Sequence, residues 1–359
     1  MSEKRIRFGL IGCGNVSRIY LESIKRNPNT QLIATCDVVE ERAKALMKEG
    51  NAEAFYLDYN EMLEKAKIDA VIIITSIDSH AKIAAEAARA GKHMLIQKSM
   101  ATSLKDADEV VRSVRKARVK AVVEPSPHLS PWNQRAKKLI EDGAIGKVCY
   151  VHGIGSIWDP GAAWYYMKEH GGGPIFNMAV YPVSNMTFIL GPVRRVTSMA
   201  TFSIPEREIN GSKVKITAED NTITLLDFGR GVLGCVESNY VTRFLPSDMF
   251  FEGYCRFHGS EGTIIVSRDM GVQLASNDKT YWAYDNPGWF KPIVQIKAFG
   301  NWAASFWYYY ASIDHLVECI LADEEPLPNV EWGRHVTEIL EKSVESARQG
   351  KTLNLRTSF

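Results

Sequence analysis

The chain has 359 residues, 45% hydrophobic and 24% charged, which is ordinary globular usage and a length suited to two domains. Lys and Arg number 43 against 42 Asp and Glu, a formal charge of +1, so the balance supplies no drive toward nucleic acid or an anionic membrane. No apolar run reaches the ~18 residues of a membrane span, and the charged start at 1–7 does not read as a signal peptide. The 6 cysteines are scattered without a C-x-x-C or zinc-like pattern, so the expectation is a cytoplasmic protein with reduced thiols and no metal.

In chain order, residues 6–11, 31–36, 69–75, 93–96 and 120–123 are short runs rich in Val and Ile without strict alternation, the pattern of strands covered on both faces. Between them, 16–26, 39–48, 79–90 and 103–117 have helical spacing. Asp78 or Ser79 and Thr102 or Ser103 stand at N-cap positions, and Gly50 and Gly91 at the stops. This β-α-β rhythm predicts an α/β, doubly wound nucleotide-binding domain of the Rossmann type over 1–125. The prolines of Glu124-Pro125-Ser126-Pro127 break the rhythm. A helix at 132–141 is followed by longer alternating segments at 148–154, 193–202, 222–228, 232–240, 255–258 and 263–267, then by helices at 312–322 and 331–348. These predict an α+β domain with a large, mostly antiparallel sheet over 126–359, for substrate binding and oligomerisation.

The stretch Gly12-Cys13-Gly14-Asn15-Val16 follows the first strand and opens the first helix. Gly12 suits the tight turn, and Gly14 lets the backbone approach a pyrophosphate at the positive helix N-terminus. Ser17 stands where the fingerprint has its third glycine. Asp37 ends the second strand, where a carboxylate bonds the ribose hydroxyls and repels a 2′-phosphate, so the expected cofactor is NAD, with NADP second. Arg42, one helical turn on, is placed to stack on adenine or grip a phosphate, or to be a solvated helix-face arginine. Thr75, Ser76, His80, Gln97 and Lys98 follow later strands at the carboxyl edge, where ligands of such sheets bind. His80 has a plain alternative as a hydrogen-bonded residue at a helix start. Lys98 directly follows a buried strand and points toward a cleft more readily than toward bulk water.

These residues carry a resemblance. The Gly12/Gly14 loop, Asp37, the stretch Thr75 to His80, Ala90-Gly91-Lys92-His93 and Gln97-Lys98 resemble the glucose–fructose oxidoreductase/inositol dehydrogenase/MocA (Gfo/Idh/MocA) family. The likeness continues in Ile140-Glu141-Asp142-Gly143-Ala144-Ile145-Gly146, Gly171-Gly172-Gly173 and His258-Gly259-Ser260-Glu261-Gly262-Thr263, and resumes in Ser346-Ala347-Arg348-Gln349-Gly350. It implies a Rossmann domain binding NAD, a carbohydrate substrate, and a homo-oligomer (dimer or tetramer) formed through the outer face of the second sheet. Members usually carry Glu-Lys-Pro where this chain has Gln97-Lys98-Ser99, and Asp-x-x-x-His where it has Asn177-Met178-Ala179-Val180-Tyr181. By resemblance Lys98 contacts both the nicotinamide side of NAD and the reacting hydroxyl. Tyr181 replaces a histidine, and Asn177 keeps hydrogen bonding without acid–base capacity.

Oxidising an alcohol needs a base within hydrogen-bond reach while hydride leaves the same carbon. A tyrosine hydroxyl becomes a usable acid–base group when an ammonium lowers its pKa, so Lys98 and Tyr181 are the expected pair across an interdomain cleft. The aromatic stretch around Trp158, Trp164 and Tyr165 suits the C–H faces of a sugar ring. A second cluster, Tyr281, Trp282, Tyr284, Trp289, Trp302 and Trp307 to Tyr310, suits a subunit interface or core. His128 and His152 are further candidates for the cleft, with ordinary structural roles as the alternative. The resulting expectation is an NAD-dependent oxidoreductase acting on a secondary alcohol of a sugar, glycoside or cyclic polyol. Its rivals are an NAD-dependent glycosidase working by transient C3 oxidation and elimination, and a non-catalytic NAD-binding regulatory protein.

Overall fold

The computed structural model describes residues 5–243, 253–267, 271–277 and 307–359. The chain divides into two compact units, residues 1–126 with 306–337, and residues 127–305 with 338–359.

The first unit begins with β1 (Ile6–Ile11), α1 (Ser17–Arg26), β2 (Thr30–Cys36), α2 (Glu40–Gly50), β3 (Ala54–Tyr56) and α3 (Tyr59–Lys65). It continues with β4 (Ala70–Ile73), α4 (Ile77–Arg89), β5 (His93–Ile96), α5 (Leu104–Ala117) and β6 (Ala121–Val123). The 6 strands are all parallel in the order β3-β2-β1-β4-β5-β6. The order reverses between β1 and β4, the crevice where such sheets bind ligands. The β3–α3 pair falls in a stretch where the sequence reading has no element; three residues are too few for a period to show.

Two later helices complete this unit: α8 (Trp307–Ala322) and the first part of α9 (Val330–Gln349). Ile313, Leu316 and Val317 of α8 share one core with Phe8, Leu10, Tyr20, Leu21, Leu95 and Val122. Asn27 Nδ2 donates to Asp314 Oδ1 at 2.7 Å, and Val123 N donates to Pro328 O at 3.1 Å. The sequence reading runs the second domain unbroken from 126 to 359, whereas the chain returns to its first unit here. The reason is local: α8 carries an apolar face that fills the space over α1, β5 and β6.

The second unit is built on a sheet of 8 strands in the order β15-β14-β13-β7-β12-β11-β8-β16. Its members are β7 (Val148–Ile154), β8 (Arg195–Thr201), β11 (Asn221–Gly229), β12 (Val232–Asn239), β13 (Tyr254–Gly259), β14 (Gly262–Ser267), β15 (Gly271–Ser276) and β16 (Leu353–Asn354). Only the β7–β12 pair is parallel among them. A hairpin, β9 (Glu206–Ile209) and β10 (Ser212–Lys215), stands apart. Helices α6 (Pro131–Glu141) and α7 (Val180–Leu190) cover one face. Gly153 and Gly155 of β7 and its continuation make that cover possible, since a Cβ on Gly153 would lie 2.5 Å from Met186 Cε and one on Gly155 2.2 Å from Met178 O. The opposite face leaves Met199 (77% exposed), Leu233 (58%), Ile223 (52%) and Leu225 (52%) in water.

Candidate active site

The ladder of the first sheet runs one residue past each strand. Gly12 N donates to Cys36 O at 2.8 Å, Ile74 N to Ile11 O at 2.9 Å, Gln97 N to Ile73 O at 3.0 Å and Glu124 N to Ile96 O at 2.9 Å. The residues that open the loops therefore stand in one row along the carboxyl edge. At one end, Gly12 has φ +98°, and a Cβ there would lie 2.6 Å from Ile74 O, so both conformation and space require glycine. Gly14 is different: a Cβ there would meet nothing within 4 Å. Asn15 and Val16 beside it are exposed, and α1 starts without a side-chain cap or an acidic residue in its first turn. An open, uncapped helix start is the cradle a pyrophosphate fits. Ser17, in the third-glycine place, is buried and donates its hydroxyl to Gly14 O at 2.6 Å, so it braces the loop.

Asp37 is aimed by the same loop. Its Oδ2 accepts from Cys13 N at 2.7 Å and its Oδ1 from Val39 N at 2.8 Å. The Cys13 thiol is pushed up to about 12 by burial and by the Asp37 charge, so it is an inert packing group. Val38 is 88% exposed and Arg42 is exposed on α2, leaving the rim beyond Asp37 open. These features fit a dinucleotide, with the Gly12–Val16 loop for its phosphates and Asp37 for its ribose.

Thr75, Ser76, Gln97 and Lys98 are all partly buried at the ends of β4 and β5. The Thr75 and Ser79 hydroxyls lie 2.6 Å apart, and the Lys98–Ser99 peptide is cis. His80 is fully buried, with Nδ1 2.8 Å from Ser99 O and Nε2 3.0 Å from Thr75 O. Burial lowers its pKa below the usual histidine value, against the pull of the two carbonyls; a neutral ring donates to only one of them, so the ring is packed between the two loops and bonded to one. Its part at this edge runs through the loops, since both ring nitrogens face their carbonyls.

Glu124 escapes the sequence reading. It is 1% exposed, and its Oε2 accepts from the Tyr20 hydroxyl on α1. The signal was present, because Glu124 directly follows a buried strand just as Gln97 does, one position before Lys98.

In the second unit Asn177 lies in a π-type turn, Ile175–Ala179, that leads into α7, and Tyr181 lies in the first turn of α7. Four positions apart on one helical path, they present neighbouring faces, and π-turns recur at functional sites. Both are buried (3% and 7% exposed). Tyr240 packs beside Asn177; burial holds its hydroxyl well above the usual tyrosine value while the Asn177 amide pulls the other way.

Trp164 and Tyr165 stack at 3.6 Å between ring centroids and stay partly exposed, so their aromatic surface remains open to a ligand. Trp158, partly exposed as well, packs against two arginines. The Arg243 guanidinium carbon stands 3.6 Å from its ring centroid and that of Arg207 5.5 Å, and Arg207 pairs at 2.9 Å with Asp220, itself buried. Asp220 also accepts from Ser203 N at 2.6 Å and Ile204 N at 3.0 Å, which makes this ion pair a buried brace for the aromatic loop. His128 sits in the short turn Pro127–Leu129 with its ring 4.6 Å from Phe188 of α7. His152 lies on the open side of the sheet, because its neighbour Gly153 faces α7 and strand side chains alternate. Tyr281, Trp282, Tyr284, Trp289 and Trp302 lie outside the described residues, as do the side chains of Trp307 to Tyr310.

Comparison with known proteins matches residues 6–124 to the "Oxidoreductase family, NAD-binding Rossmann fold" and residues 133–265 to the "GFO/IDH/MocA C-terminal domain". The chain belongs to the Gfo/Idh/MocA family. As a family member it is an oxidoreductase with an NAD-binding Rossmann domain. Among similar proteins is the D-apiose dehydrogenase of Paraburkholderia graminis, 26% identical over 360 residues, covering 99% of this chain and 91% of that one. The scyllo-inositol 2-dehydrogenase (NAD(+)) of Bacillus subtilis is 26% identical over 74% of this chain and 74% of its own length. The fold is shared with levoglucosan dehydrogenase solved with NADH and levoglucosan, at a TM-score of 0.85 and 21% identity over 98% of this chain and 99% of that one. No helix among the described residues is long and apolar enough to cross a membrane.

Proposed function

We propose that this Gfo/Idh/MocA protein is an NAD-dependent dehydrogenase for a secondary alcohol of a sugar, glycoside or cyclic polyol. The observation that carries the reading is a lysine, Lys98, directly beyond the row of loop-opening residues that begins with Gly12. Bound at that edge, the dinucleotide supplies the hydride acceptor. Asp37 selects NAD over NADP by holding a carboxylate at the ribose position. Lys98 and Tyr181 share the proton of the reacting hydroxyl, with Asn177 orienting the substrate, and Trp164 and Tyr165 offer a platform for the ring. The sugar and polyol dehydrogenases among the relatives support a carbohydrate class of substrate. We also propose that copies associate through the apolar outer face of the second unit's sheet.

The test is a panel of sugars, polyols and aryl glycosides scored for NADH absorbance and aglycone release. NADH should form in proportion to oxidised product. Lys98→Ala and Tyr181→Phe should each slow turnover by roughly 10²–10⁴-fold, the worth of acid–base help, with non-additive losses in the double variant. Aglycone release with deuterium uptake at C2 and no net NADH would replace the dehydrogenase reading by the redox-neutral glycosidase. Wild-type rates in both variants would remove the two residues from their roles.

A further inference from the structure

Glu124 is a carboxyl group with almost no contact with water, set at the end of β6 in the row that opens the ligand-binding loops. The Tyr20 hydroxyl donates to its Oε2 from α1. Ser312 of α8 bonds it as well and stands 3.0 Å from the Ser126 hydroxyl. The one charged group that acts on it among the described residues is Lys98, from the end of the adjoining strand. The same Lys98 charge reaches the buried His80 ring on α4, where the Asp78 charge acts in the opposite sense. Gln97, the loop-opening residue beside Glu124 in the row, cannot ionise. A carboxyl group is thus buried at the end of the strand adjoining that of Lys98, within reach of the Lys98 charge, and its hydrogen-bond partners are the hydroxyls of Tyr20 and Ser312.

We propose that Glu124 is a positioning residue for Lys98: a buried acid whose ionised form keeps the Lys98 amine in its ammonium state. The inference rests on the proton-handling role given to Lys98. Burial pushes Glu124 up to about 8, against the Tyr20 and Ser312 hydrogen bonds and the Lys98 charge, so its proton is lost around that pH. Coupling is reciprocal. The Lys98 ammonium favours loss of the Glu124 proton, and the carboxylate so formed raises the pH at which Lys98 gives up its own. The ammonium is the form that lowers the pKa of a partner hydroxyl, so this arrangement extends the working range on the alkaline side.

The experiment follows Lys98 directly. The full chain, without cofactor or substrate, is acetylated with trace acetic anhydride across a pH series, and the Lys98 peptide is quantified by mass spectrometry. In Glu124→Gln, which keeps the acceptor for Tyr20 but cannot ionise, the midpoint of Lys98 reactivity should fall by about one pH unit, the lower end of what an opposite charge within reach does. The alkaline limb of kcat/KM should move with it while KM stays near wild type. Should Glu124→Gln fail to fold, carbon-13 NMR of labelled glutamate carboxyls in Lys98→Met serves instead, and the Glu124 signal should titrate at higher pH than in wild type. An unmoved Lys98 midpoint, or a Glu124 titration indifferent to Lys98→Met, overturns the proposal and leaves Glu124 a structural acid. Because labelling needs no substrate, a failed sugar panel leaves this result standing, and an unmoved midpoint leaves the carbohydrate reading standing.

Discussion

Asp37 shows how much of a binding residue is prepared by its neighbours. Both carboxylate oxygens are held by main-chain donors, Cys13 N and Val39 N, so the group is oriented before any ligand arrives and little ordering cost remains. Replacing Asp37 with Ser should remove the repulsion against a 2′-phosphate and relax the preference for NAD. Unchanged NAD/NADP selectivity in that variant, measured as the ratio of kcat/KM values, would take Asp37 out of its assigned role. Gly12, Gly14, Asp37 and Lys98 were legible as candidates because backbone freedom and charge at strand ends are written in residue type. The partners of His80 and Glu124 were not, although hydrogen bonding at a helix start was one reading of His80. The first needs a partner carbonyl 19 positions away, the second a tyrosine 104 positions away. Trp158 was read as a ring-binding surface, and no local pattern announces that Arg207 and Arg243 crowd it.

Among the elements, α8 states the case for packing over position. It lies late in the chain, yet Ile313 and Leu316 are fully buried in the core of the first unit. Leu316→Ala should therefore destabilise that unit, by about 2–5 kcal/mol as for other deep leucine truncations. Urea unfolding followed by circular dichroism should show the loss, and a change below about 0.5 kcal/mol, the scale of surface substitutions, would contradict the packing described. The predicted helix at 312–322 was correct as an element and misplaced as to domain, because periodicity reports an apolar stripe without naming what it covers. Helix α7 went unread for a related reason: apolar on nearly every side and interrupted by Pro182, it offers no stripe.

At the scale of the whole molecule, the second sheet has a broad apolar face that no element among the described residues covers. Met199 and Ile223 pair across one row and Leu233 and Tyr150 across another, all of them at least 38% exposed. Contiguous apolar surface of this kind marks an association site. Ile223→Glu combined with Leu233→Glu should convert an oligomer to monomer in analytical ultracentrifugation; a wild-type mass in the double variant, or a monomeric wild type, would refute association through this face. The sequence by itself determined the doubly wound first domain, its glycine loop and acidic strand end, the largely antiparallel second sheet, and the family. Those features depend on local period, turn chemistry and residue type at strand ends. Tertiary structure alone decided that α8 rejoins the first unit, that His80 packs between two loops, that Arg207 and Asp220 brace the aromatic loop, and that Glu124 is buried at the same edge as Lys98. Each of these joins residues far apart in sequence, and such pairings leave no mark on the periodicity of either segment.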